Sequence, residues 1–222
     1  TNSSLLYGFL YYGDSLFISN NGGSSLTSTV GPPAGQSGNW VTPLKANSVG
    51  EIFAGFGQLY RLNGSAWVLQ SVSGLSGSNL ELVTVDPSDD NIMYVVNGGI
   101  LYKSTNKGIN FSLLYVAPTN ITSVAVHSSD SNIIYLTTQG TSGQAYRSTN
   151  GGTSFSNFNT GLPGIGKNVI VHQGQNSRNP LYIGTSLGVY YRDDTLSQWE
   201  PFDTNLPNVS VTDLAINLED EK

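Results

Sequence analysis

Two carboxylates, Glu81 and Asp213, are the residues of this chain best placed for acid–base work. Each stands at the start of a short apolar alternation (Leu82 to Val85, Leu214 to Ile216), so each opens a strand of the same kind, and Lys167 opens a third. Cleaving a glycosidic bond needs one carboxyl as acid and a second across the bond. The plainer expectation is that all three are solvated polar residues at a strand entrance. Asp89/Asp90 and Asp193/Asp194 are adjacent pairs, and neighbours in a turn rarely face one another, so they read as turn formers. His127 and His172 share a repeat position with Asp86 and Asn217, straight after paired valines or their equivalents, and a turn role is expected for all four. Arg61 and Arg147 recur with Lys103 and Tyr191 at one strand position, where stacking on neighbouring rings is a sufficient role.

The aromatic residues offer binding rather than catalysis. Tyr11, Tyr12, Trp40, Phe56 and Tyr115, with Phe158, lie in or beside connections between strands, where an exposed ring can stack on a sugar face or anchor a partner protein. Tyr11 and Tyr12 are the strongest pair, because consecutive residues cannot both point into one core. Packing between sheets is the competing expectation for each ring.

These side chains are carried on a repeat. Ser148-Thr149-Asn150-Gly151-Gly152-Thr153-Ser154-Phe155 returns at Ser104 to Phe111 and at Ser19 to Leu26, with worn copies at Tyr60 to Trp67 and Arg192 to Trp199. The closing residues Leu26, Trp67, Phe111, Phe155 and Trp199 are 41, 44, 44 and 44 apart, a period that marks a repeat architecture. Asn and Ser side chains can close a turn on nearby backbone N–H groups. Gly22, Gly108 and Gly152 fall where positive φ is expected. Rings stand just before each motif (Phe17, Tyr60, Tyr102, Tyr146, Tyr190), which suggests a β-hairpin stapled by rings at both ends.

The pattern S-x-[DN]-x-G-x-x-[FW] resembles the Asp-box, or BNR, repeat of sialidases, xyloglucanase-type glycoside hydrolases, sortilin-like receptors and photosystem assembly factors. Asn21, Asn106 and Asn150 replace the Asp, keeping the acceptor and losing the charge. The resemblance implies a β-propeller and no particular activity. A sialidase needs three arginines converging on a carboxylate and a Tyr–Glu nucleophile; the four arginines here do not supply that, and the activity is rejected. Xyloglucanase-type enzymes hold their acids in a cleft between two propellers, so their catalytic residues do not carry over.

Composition narrows the partners. A net charge of −6 with nine scattered basic residues argues against nucleic acid, and no apolar run is long enough for membrane insertion. The absence of cysteine removes disulfides and thiolate metal sites, and no cofactor or metal is expected. A chain beginning at Thr1 reads as a processed or excised piece, and a secreted or extracellular setting fits.

The expected fold is all-β: one five-bladed propeller domain over 1–222, of four-stranded antiparallel blades at 39–71, 80–115, 121–158 and 167–202. The fifth blade combines a C-terminal strand (about 209–217) with 4–30, pairing it beside the N-terminal strand (about 4–10) and sealing the ring. The long Pro/Gly-rich connection, 31–38, is expected to be the most mobile. The leading functional expectation is a non-catalytic module, a monomer or a domain of a larger chain, binding a glycan or protein partner. The alternatives are a glycoside hydrolase or a piece of one, and an excised or engineered scaffold with no separate activity.

Overall fold

The computed structural model describes residues 4–140, 143–204 and 206–217. Its regular structure is β, apart from one 3-10 turn at Tyr11–Gly13. Short strands of alternating or wholly apolar residues follow one another through tight turns, so antiparallel neighbours are the natural product. The first sheet has β1 (Leu6–Phe9), β2 (Leu16–Ser19) and β3 (Ser28–Val30); the second has β4 (Leu44–Ala46), β5 (Ile52–Gly55), β6 (Leu59–Asn63) and β7 (Ala66–Leu69). The third holds β8 (Leu82–Val85), β9 (Met93–Asn97), β10 (Ile100–Ser104) and β11 (Ser112–Val116). In the fourth are β12 (Ile121–Val126), β13 (Ile134–Thr138), β14 (Ala145–Ser148) and β15 (Ser156–Asn157). The fifth is built from β16 (Lys167–His172), β17 (Leu181–Thr185), β18 (Gly188–Arg192) and β19 (Glu200–Pro201). Each sheet runs in chain order, as a meander must.

By contacts the chain divides into two compact units. One comprises Thr1–Val85, Asp90–Asn97 and Tyr102–Leu113; the other comprises Asp86–Asp89, Gly98–Leu101 and Leu114–Lys222. The first packs Phe53, Phe56, Leu59, Leu80, Met93 and Tyr94 out of solvent, and the rings of Phe9 and Trp67 stack at 5.7 Å. The second buries Tyr135, Ala145, Ile170, Leu181, Ile183 and Trp199, with the Trp199 indole N–H donating to the Phe158 carbonyl at 2.7 Å.

The repeated hairpin is held by its polar residues. Ser19, Ser104 and Ser148 each donate a hydroxyl to the Asn two residues on, at 2.9 Å in all three. The same hydroxyl oxygens accept the N–H of Gly23, Gly108 and Gly152 at 2.9–3.0 Å. The Asn oxygens then accept the N–H four residues on, at Ser25, Asn110 and Ser154. Two consecutive residues take positive φ in each of the three well-kept copies: Gly22-Gly23, Lys107-Gly108 and Gly151-Gly152. Glycine adopts this freely; Lys107 does so at a cost, with its amine 3.1 Å from the Glu51 carboxylate. Rings do not staple the hairpins across the turn: Tyr60 faces Leu69, Tyr146 faces Asn157 and Tyr190 faces Pro201. Phe155 packs instead on Tyr115 of the preceding sheet, centroids 4.5 Å apart.

The ends differ from expectation. Among the described residues the first sheet has three strands, β1 is paired with β2 alone, and 209–217 forms no strand. Val211 donates its N–H to the Thr185 carbonyl, and the Gly188 N–H reaches Val209. Two repeats earlier Ile121, the first residue of β12, similarly donates its N–H to the Gly98 carbonyl. The chain is thus aimed as at the start of a first strand, and among the described residues this segment joins no sheet.

Candidate functional site

Three of the five candidate ligand-binding rings come together. The turn at Tyr11–Gly13 puts Tyr11 and Tyr12 outward, 54% and 46% exposed, and brings both against Trp40, which is 64% exposed. Tyr11 stacks on Trp40 with centroids 5.4 Å apart and planes 15° from parallel, and Tyr12 meets Trp40 edge-on, also at 5.4 Å. Rings this exposed bury little of their apolar faces within the chain and leave them for something else.

The backbone explains how residues so distant in sequence meet. Leu10 donates to Ser15 and Gly13 to Leu10, which closes the turn. Tyr12 then donates to the Trp40 carbonyl at 3.3 Å, and its own carbonyl accepts the Gly38 N–H at 2.7 Å. These two bonds fasten the Pro/Gly-rich connection at its far end, so this expected mobile loop is anchored where it meets the rings. Tyr12 pays for the arrangement with φ 59°, ψ 15°, a left-handed conformation that a non-glycine residue rarely takes. Strain of this kind collects at binding sites and points to a role for the geometry it maintains.

Phe56 is not part of the surface. It is fully buried, and a Cβ on Gly13 would stand 2.8 Å from its ring and 2.9 Å from the Thr42 hydroxyl. Phe56 is therefore the floor on which the turn rests, and glycine at 13 allows the close approach. Its apolar neighbours in β5 made a ring at 56 equally compatible with core or loop. Tyr115 lies in the other unit, half-buried against Phe155 and Tyr146 and less exposed than any ring of the triad. Burial pushes its phenol above the usual range.

Beside the triad is a cavity of about 390 Å³ lined by Tyr11, Tyr12, Asp14, Pro32, Gln36 and Ser37. Asp14, Gln36 and Ser37 were not foreseen as site residues; they become neighbours only through the loop fastening. The arrangement is an aromatic platform edged by one carboxylate, one amide and one hydroxyl, which suits stacking plus hydrogen bonds to a hydroxylated ligand.

The candidate carboxylates are placed differently. Glu81 is exposed ahead of β8, its N–H bonded to the Val96 carbonyl. Asp213 is exposed in the other unit, its carboxylate accepting the Leu214 N–H. Lys167, expected at a solvated entrance, is buried: its amine donates to the Pro163 carbonyl at 2.8 Å, and burial lowers its pKa. Among the described residues no group of three or more His, Asp or Glu is placed to hold a metal ion, and no helix is long and apolar enough to cross a membrane.

The turn roles of Asp86 and His127 follow the expected pattern, each accepting the N–H two residues on. The rings of His127 and His172, 45 positions apart, lie only 4.3 Å from one another, a contact their spacing does not foretell. Since Ser128 donates to His172 Nδ1, its proton sits on Nε2, which is buried without a partner. Burial, and then the charge of His127, bring the His172 pKa down to about 4. Arg147 covers Tyr135 and Phe158, and Lys103 covers Tyr94, in the stacking role expected of that position.

No protein-family model matches the sequence, and a search of curated proteins finds no match. Solved structures do share the fold. An ancestral GH74 enzyme aligns with 90% of this chain at TM-score 0.67 and 19% identity, and the GH74 xyloglucanase from Xanthomonas campestris with 86% at 0.62 and 17%. YCF48 bound to D1 peptide aligns with 90% at TM-score 0.61 and 12% identity. The chain spans 31% and 28% of the two enzymes and 68% of YCF48. At these identities the likeness establishes a propeller-type all-β fold and nothing more.

Proposed function

We propose that this chain is a non-catalytic, extracellular binding module that holds a neutral glycan on the Tyr11–Tyr12–Trp40 platform. The observation that carries the reading is the convergence of three exposed rings around a strained Tyr12, beside a cavity edged by Asp14, Gln36 and Ser37. Pyranose faces stack on such rings while their hydroxyls bond to the polar rim. Because two of the similar folds belong to GH74 enzymes, one of them a xyloglucanase, xyloglucan oligosaccharides are the first ligands to try. Calorimetry should show saturable binding that falls sharply in Tyr11→Ala/Trp40→Ala; undiminished binding in the double variant would remove the site.

The fold reading that goes with this is an Asp-box propeller of five blades, with 209–217 supplying the missing strand beside β1. It is supported by the repeated Ser–Asn–Gly turn geometry and by the first-strand alternation of 211–216. A protein partner is the second reading, favoured by the peptide held by YCF48. A hydrolytic role for Glu81 and Asp213 stands third, since it rests on the fold likeness alone.

A further inference from the structure

The second unit contains a cavity that the platform does not use. It measures about 140 Å³ and is lined by Tyr135, Phe158, Arg147, Arg192, Asn179, Asp193 and Asp194, with Leu181 and Leu196. Arg147 lies opposite Tyr135 in the β13–β14 pair, and Arg192 opposite Leu181 in the β17–β18 pair. Both guanidiniums cover one ring, Phe158, at 5.8 and 4.2 Å from its centroid. Among the described residues neither has a carboxylate within ion-pair distance, and Arg147 Nε is buried without a hydrogen-bond partner. Two like charges thus share a ring, half-buried, with the Arg147 Nε donor unspent. Buried donors are costly unless something accepts from them.

The nearby acids are partly engaged within the chain. Asp193 accepts from Tyr191 and from the N–H and hydroxyl of Thr195; Asp194 accepts from Asn179 at 2.6 Å, and Asn179 accepts from His127. Their spare lone pairs repel a second negative charge but suit hydroxyl groups. The geometry points to a site for a uronic acid, whose single carboxylate bridges the Arg147 and Arg192 guanidiniums while its hydroxyls donate to Asp193 and Asp194. A planar carboxylate matches the guanidinium fork. A phosphate would bring excess charge against the two acids, and a peptide C-terminus would lack hydroxyls for them.

The test is a titration of the whole chain with D-glucuronate, followed through arginine Nε–H and tryptophan indole NMR signals. D-Glucose, inorganic phosphate and an N-acetylated dipeptide with a free carboxylate serve as comparisons. Two arginine signals should shift saturably with glucuronate and stay still with glucose, and Arg192→Gln should weaken binding about tenfold or more. The Trp40 indole signal should not move, which separates this site from the platform. Absence of a glucuronate response, an equal response to glucose, or tighter binding of phosphate or the dipeptide would each overturn the assignment. The titration of the unsubstituted protein decides the matter even if the variant folds poorly.

Discussion

Tyr11 and Trp40, 29 positions apart, lie ring on ring at 5.4 Å because the backbone of Tyr12 between them is bonded to both ends of the segment 38–40. The residue that joins the rings is also the one under strain. Gly13→Ala should therefore act at a distance, since its Cβ has no room against Phe56 and Thr42 and its φ is +65°. The expected result is destabilisation by about 2 kcal/mol or more together with loss of ligand binding, read by thermal unfolding and calorimetry.

The hairpin turns make a sharper distinction. Asn150 accepts from Ser148 and Ser154 and donates to the Ser154 hydroxyl, which can turn round and donate instead. Asn150→Asp should thus leave stability within about 0.5 kcal/mol, while Asn150→Leu, which strands the Ser148 hydroxyl and the Ser154 N–H, should cost about 1–3 kcal/mol. Urea unfolding of the two variants would compare them directly.

Glycines that share a positive φ need not be equivalent. A Cβ at Gly152 would meet the Leu114 side chain at 2.5 Å, whereas Gly64 (φ +61°) opens on empty space. Gly152→Ala should cost more than 2 kcal/mol and Gly64→Ala about 1 kcal/mol, the left-handed penalty alone. Matched melting curves test the difference.

The His172 pKa of about 4 sets a pH dependence. Unfolded, the ring titrates near its ordinary value of about 6.5. Between those values the unfolded chain binds the extra proton, so stability falls as pH drops from about 6.5 to 4 and this contribution is flat outside that window. His172→Gln should remove roughly 3 kcal/mol of that fall, seen as the difference between the two proteins' stability–pH curves.

The repeat made the strands legible, because a 44-residue period with fixed turn chemistry leaves few ways to place them. It showed less of the site. Tyr11 and Tyr12 were visible as adjacent rings, but their meeting with Trp40 depends on two backbone hydrogen bonds in a loop outside the repeat. Phe56 failed as a surface ring since a loop-edge aromatic and a core aromatic have the same sequence context. The His127–His172 contact and the Arg147–Phe158–Arg192 stack arise where adjacent sheets pack, and spacing along one chain carries no record of such packing.

The most direct test of the platform is a glycan array probed with the unsubstituted chain and with Tyr11→Ala/Trp40→Ala, after confirming equal melting temperatures. Binding to a neutral glycan should appear and weaken roughly thirtyfold or more in the double variant, as loss of about 2 kcal/mol at an aromatic anchor requires. No glycan bound, or one bound equally by both proteins, would contradict the account.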